Sequence, residues 1–162
     1  MTRPLDTVAH AITVRQPYAQ CIAIGRKTVE NRPRYTSFRG PIAIHAGKKI
    51  HTQGDADPRV IALYGRDASW GMKLGAVIAV ADLVDCHPAA YGGAPGRTCC
   101  EPWGEPFYGD GGPCYHLVLD RAVMLPAVVP ARGSLTLPWT LPTEPLDVQA
   151  AVRRSLAEAV SR

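Results

Sequence analysis

Lys27 and Glu30 stand three residues apart in the segment Gly25-Arg26-Lys27-Thr28-Val29-Glu30-Asn31-Arg32. They are the residue types from which a proton-transfer or anion-holding pair is built. A lysine in a partly dry cleft can have its pKa lowered enough to act as base or nucleophile, or it can stay charged and hold a phosphate or carbonyl. A glutamate beside it can orient the ammonium or shuttle a proton, for which a raised pKa is useful. The same two residues with Arg32 also read as an ion network that braces strand ends. Arg15, Gln16 and Tyr18 lie upstream, and His45, Lys48 and Lys49 downstream. Arg15, Lys27 and Arg32 suit phosphate contact, Gln16 and Glu30 hydrogen bonds to a base or ribose, and Tyr18 a stacking face. His45 ends an apolar run, where a histidine is more often a satisfied strand-end residue than a ligand. Lys48 and Lys49 suit a phosphate backbone or plain solvation.

Charge is unevenly spread along the 162 residues, whose formal net charge is +4. Residues 1–50 hold nine Lys/Arg against two acids, a balance of +7, and the remainder is −3. Positive charge therefore falls in the segment that carries the polar candidates, which favours an anionic or phosphate-bearing partner. A solvated basic face is the plainer reading of the same cluster.

The elements that must position these residues are short. His10–Val14 reads as a strand ending at Arg15, and 17–24 as a helix opened by Pro17 and stopped by Gly25. Lys27–Arg32 is a second strand, with Thr28, Glu30 and Arg32 on one face by alternation. Residues 41–46 form a third. Asp57 before Pro58 starts a helix that Gly65 ends. Residues 76–84 (AVIAVADLV) are an apolar strand buried on both faces. Residues 115–120 and 135–141 supply further strands, with 123–129 between them interrupted by Pro126. Residues 146–160 space Val148, Val152, Leu156 and Ala159 at helical intervals, an amphipathic helix over the end of the domain.

From 87 to 114 runs a stretch with seven Gly and five Pro that also carries Tyr91, Trp103, Phe107 and Tyr108. Loops of that length are often lids or binding loops. Its aromatics should pack over a ligand base, a partner chain or the body of the protein. Five cysteines, two of them adjacent, do not suit a disulfide scaffold, so reduced thiols are expected. Zinc sites use four ligands, usually in C-x2–4-C knuckles. No such pair exists, and adjacent Cys99 and Cys100 cannot easily share one tetrahedral ion. Were zinc held, Cys86, Cys99, Cys114 and His116 would be the set; the expectation is no metal and no cofactor. No run is long and apolar enough to span a bilayer, and MTRPLDTVAH lacks a signal-peptide core, so a cytoplasmic chain without membrane partners is expected.

Taken together, Ile12-Thr13-Val14-Arg15-Gln16-Pro17-Tyr18, the Gly25–Arg32 segment and Arg39-Gly40-Pro41-Ile42-Ala43-Ile44-His45-Ala46 with Lys48 resemble the ASCH domain family, a branch of the PUA-like β-barrel superfamily. Residues 75–81 and 115–119 extend the likeness, which is nearest to small single-domain bacterial or phage members. The resemblance implies a barrel with a cleft beside the first helix, and family members are linked to RNA or other nucleic-acid binding. One branch is similar to an amidohydrolase that deacetylates acetylcytidine with a lysine in this motif, a threonine three residues on and a distant glutamate. Lys27 matches the lysine, Glu30 occupies the threonine position, and no motif places the glutamate. Another branch resembles a metal-dependent ribonuclease, to which only Lys27 aligns.

The expectation is an α+β protein: a small, mostly antiparallel PUA-like β-barrel with short flanking helices and a C-terminal helix. It forms one domain over 1–162, with its core at about 10–141. Its cleft binds RNA or a modified nucleoside through Arg15, Gln16, Tyr18, Lys27, Arg32, His45, Lys48 and Trp103. Two alternatives stay open: a hydrolase of nucleoside amides or RNA phosphodiesters using Lys27 and Glu30, and an adaptor that docks another protein through the aromatic loop.

Overall fold

The computed structural model describes residues 4–90 and 98–161; Tyr91 lies outside them. The elements run β1 (His10–Gln16), α1 (Tyr18–Ala23), β2 (Val29–Arg32), β3 (Gly40–Ile50), α2 (Pro58–Tyr64), β4 (Ala76–Pro88), β5 (Tyr115–Pro130), β6 (Trp139–Thr140) and α3 (Val148–Val160), with 3-10 turns at Leu5–Thr7 and Gly54–Ala56. Six strands form one sheet in the order β2-β5-β4-β3-β1-β6. Among the described residues only the β1–β3 pair is parallel. No helix among the described residues is long and apolar enough to cross a membrane.

The period-2 pattern of the strands divides the core into two. Ile12, Val14, Ile44, Leu83, Leu117 and Leu119 face α1, which buries Ala19, Ile22 and Ala23 against them. Ala11, Ala43, Val80 and Leu125 pack with Val148, Val152 and Leu156 of α3. β4 lies between β3 and β5 and is buried from Ala76 through Leu83, as its continuous apolar run implies.

Three expectations change. The sheet is mixed α+β architecture but is not closed into a barrel: β2 and β6 end the strand order and do not pair. It does curl, because Arg32 on edge strand β2 donates to the carbonyl of Thr13 on β1, one strand from the other edge. Second, Pro126 does not interrupt a strand; β5 runs unbroken for 16 residues. β2 pairs only with Tyr115–Val118, so near Pro126 the outer side of β5 has no strand to receive an N–H, and proline is tolerated there. Ser155 of α3 covers that side instead, with its hydroxyl bonded to both the N–H and the carbonyl of Ala127. Third, of 135–141 only Trp139 and Thr140 pair as strand, with Pro138 directly before them and Pro142 two residues after.

Candidate functional site

The local chemistry at the end of α1 explains how Lys27 reaches an interior position. Gly25 adopts the left-handed conformation (φ 73°). Its N–H bonds the Ile22 carbonyl, and the Arg26 and Lys27 N–H groups bond the Cys21 carbonyl at 3.0 and 2.9 Å. This glycine-ended helix stop turns the chain back beneath the helix. Lys27 is thereby only 4% exposed. Its ammonium donates to the Val29 carbonyl and to Glu30 Oε2 at 2.9 Å, and lies 5.7 Å from the ring centroids of both Tyr18 and Trp103. The other Glu30 oxygen faces Arg32 at 3.3 Å. Burial alone would raise the Glu30 carboxyl, but the Lys27 and Arg32 charges and the Lys27 hydrogen bond outweigh it and hold Glu30 below the ordinary carboxylate range. Glu30 therefore stays ionised, the opposite of the raised pKa that proton shuttling would use.

These groups floor a groove with two adjoining compartments. The larger, of about 930 Å³, lies between α1, α2 and the 98–109 loop and includes Tyr18, Lys27, Asp57, Arg59, Trp103 and Glu105. The smaller, of about 390 Å³, includes Arg15, Arg32, Lys48 and Lys49. Tyr18, Glu30, His51 and Tyr108 border both. Charge differs between them. Two cations in the larger compartment meet the carboxylates of Glu30, Asp57 and Glu105. Among the described residues the smaller holds four cations against Glu30 alone. Arg15, Lys48 and Lys49 are exposed and have no acidic partner among the described residues.

A second network holds the larger compartment's wall. Asp57 caps α2 by accepting the Arg59 N–H at 2.9 Å, and it also accepts the Tyr18 hydroxyl at 2.8 Å and the Arg59 guanidinium. Burial works against the charge on Asp57, yet these hydrogen bonds lower its pKa to about 2. Burial and the Asp57 contact push the Tyr18 phenol well above its usual value, so it remains a neutral donor. Arg59 continues to the loop, stacking 4.7 Å from the Trp103 ring and pairing with Glu105 at 3.0 Å. Trp103 donates its indole N–H to the Arg26 carbonyl at 2.7 Å, and Asn31 bonds both the Trp103 carbonyl and the Glu105 N–H at 2.9 Å.

The structure thus brings Arg15, Tyr18, Lys27, Glu30, Arg32, Lys48 and Trp103 to one groove, but neither Gln16 nor His45. Gln16 is fully buried; its Oε1 accepts the Gln20 N–H at 2.9 Å to hold the first turn of α1, and its Nε2 donates to the Lys73 carbonyl at 3.0 Å. His45 is 1% exposed, bonded through Nε2 to the Ala131 carbonyl at 2.9 Å and set edge-on to Trp139. Sequence reading missed Asp57 and Arg59 as site residues. One signal was available: a basic residue in the first turn of a helix opposes the helix dipole, and Arg59 does so because Asp57 and Glu105 neutralise it.

The cysteine and histidine candidates also regroup. Cys86 and Cys114 are buried apart from the others, Cys114 against Asn31. His87, Cys99, Cys100 and His116 instead converge, with their ligating atoms all within 4.8 Å of one another. The expected set of Cys86, Cys99, Cys114 and His116 is corrected accordingly. Strand alternation turns Cys86 to the face opposite His87, and the bend at 99–100 lets adjacent thiols approach the same imidazole.

Among known proteins, the ASCH domain family matches residues 12–108. The crystal structure of ASCH from Zymomonas mobilis is similar with a TM-score of 0.45 and 18% sequence identity, covering 75% of this chain and 72% of that one. No curated protein sequence matches the chain.

Proposed function

The chain belongs to the ASCH domain family, and on that premise we propose that its groove binds single-stranded RNA or a nucleotide, with base and phosphate in separate compartments. The observation that carries the reading is the division of charge: an aromatic, nearly charge-balanced hollow opens onto a smaller one rich in unpaired cations. A nucleobase is neutral, has stacking faces and carries polar edges, so it suits the first. Phe107 and Tyr108 are exposed at its rim and offer stacking faces, and His51 stands where the ribose would cross. Arg15, Lys48 and Lys49 supply phosphate contacts in the second. Lys27, Glu30 and Arg32 form a charged floor between the two.

Hydrolysis of a nucleoside amide or RNA phosphodiester at Lys27 and Glu30 is the second reading. It is favoured by their place on the groove floor and opposed by an ionised Glu30, which cannot itself be the acid that protonates a leaving group. Docking of a protein partner through Trp103 has less support, because that ring is 5% exposed and already hydrogen-bonded inside the groove wall.

Fluorescence anisotropy with a labelled single-stranded RNA, together with thermal-shift screening of nucleosides and nucleotides, tests the proposal. The double variant Arg15→Ala/Lys48→Ala should weaken RNA binding at least tenfold, and Tyr108→Ala should weaken RNA and free nucleoside alike. Wild-type protein that binds neither RNA nor any nucleoside sinks the reading. Product formation from RNA or acetylcytidine that Lys27→Ala abolishes would replace it with the hydrolytic one.

A further inference from the structure

We infer that His87, Cys99, Cys100 and His116 form a structural zinc site that fastens the 98–105 loop to the ends of β4 and β5. His87 and His116 are direct cross-strand partners in the β4–β5 pairing, so both rings leave the same face of the sheet. Their centroids are 5.6 Å apart. The adjacent thiols come down on them from the loop. Cys99 Sγ lies 3.4 Å from His116 Nδ1 and 3.5 Å from His87 Nε2, and Cys100 Sγ lies 3.3 Å from the same Nε2. A tetrahedral zinc ion with Zn–S of about 2.3 Å and Zn–N of about 2.0–2.1 Å sets sulfur and nitrogen about 3.6 Å apart. The three sulfur–nitrogen separations found are close to that value, and with all four atoms within 4.8 Å of one another a small inward shift completes the shell.

The outer contacts point the same way. A metal-ligating histidine donates its other ring N–H to a carboxylate or carbonyl, which fixes the tautomer and aims the free lone pair inward. Both histidines do this. His87 Nδ1 is 2.7 Å from Asp85 Oδ2, leaving Nε2 toward the thiols, and His116 Nε2 is 2.8 Å from the Glu105 carbonyl, leaving Nδ1 toward Cys99. Gly104 allows the loop to close over the cluster, since a Cβ there would lie 2.7 Å from His116 Cε1 and 2.8 Å from Cys100 Cβ. Two thiolates and two imidazoles are a borderline-soft donor set that suits zinc. Two thiolates also balance its charge, and the two thiol protons pass to solvent on binding. With four protein ligands the shell is closed, which marks a structural role. That role concerns the groove, because the loop so fastened carries Trp103 and Glu105 in its wall.

The test is metal analysis of the untagged chain purified in reducing buffer, followed by stripping and titration with cobalt(II). About one zinc per chain is expected. Cobalt should give a thiolate charge-transfer band and the intense visible bands of tetrahedral geometry. Both signals should vanish in Cys100→Ser and in His87→Gln and persist in Cys114→Ser. Asp85→Asn should weaken zinc about 10- to 100-fold. Wild-type chain that neither retains zinc nor gives the tetrahedral cobalt spectrum overturns the inference. So does a spectrum unchanged in the double variant Cys100→Ser/His87→Gln, or recovery of Cys99 and Cys100 joined as a disulfide from reducing buffer. None of these readouts involves RNA, so failure of the groove proposal leaves this one standing, and the reverse.

Discussion

Glu30 holds Lys27 with one oxygen and Arg32 with the other, and all three are largely shielded from water. Breaking a buried pair costs more than the pair itself contributes, because the surviving charge is left desolvated. Lys27→Ala should therefore destabilise the protein by about 3 kcal/mol in urea unfolding, and Glu30→Gln, which takes the carboxylate from both Lys27 and Arg32, should cost at least as much. Ligand binding that falls in Lys27→Ala at temperatures where the variant is folded would assign Lys27 a direct ligand role, and unchanged binding would leave it a brace. His45 makes the second residue-scale prediction. Its Nδ1 is buried without a hydrogen-bond partner among the described residues. Burial depresses its pKa against the opposing Ala131 contact, so the folded state binds the proton less readily than the unfolded chain. A depressed pKa means stability is present above the unfolded value of about 6.5 and lost as pH falls below it. Thermal melts of wild type and His45→Gln between about pH 7 and 5 should show a smaller acid loss in the variant. Equal slopes would remove His45 as the cause.

Among the elements, α1 and α3 divide the work between the two faces of one sheet. α1 ends in the Gly25 turn that delivers Lys27 to the groove, and Asp57 at the start of α2 ties that helix to α1 through Tyr18. α3 lies on the other face and closes the exposed stretch of β5 with Ser155. Loss of apolar contact there should cost stability and nothing else. Leu156→Ala, which empties a buried site, should lower unfolding free energy by about 2–5 kcal/mol while leaving RNA affinity within twofold at temperatures where the variant is folded. Altered affinity in the folded variant would mean that the two faces are coupled through the sheet.

Over the whole molecule, charge and shape coincide at one place. The curl of the sheet brings Arg32 on one edge to Thr13 near the other, and the basic first third of the sequence lines the smaller compartment that results. Three exposed cations there, Arg15, Lys48 and Lys49, would displace about three counterions from single-stranded RNA. The logarithm of affinity should then fall against the logarithm of salt with a slope of about −2, and Arg15→Ala should make it shallower by about 0.7. A slope near zero would place binding in the larger, charge-balanced compartment alone.

Local rules were enough to read much of this chain. Pro17 and Gly25 bracket α1, Asp57 and Gly65 bracket α2, the apolar run from Ala76 marks a strand covered on both sides, and the spacing of Val148, Val152 and Leu156 gives α3 its buried stripe. Each rests on backbone sterics or periodicity within a few residues, and so does the pairing of Glu30 with Arg32 on one strand face, which the Gly25 turn completes with Lys27. What required the tertiary structure were meetings across distance. Gln16 turned inward because an open helix end needed its amide, and His45 because a carbonyl 86 residues away receives its ring. Pro126 fits a strand only because, among the described residues, no strand pairs with that side of β5. Cys99 and Cys100 reach His87 and His116 only because antiparallel pairing of β4 and β5 sets the two rings opposite each other, a register that no spacing along the sequence encodes.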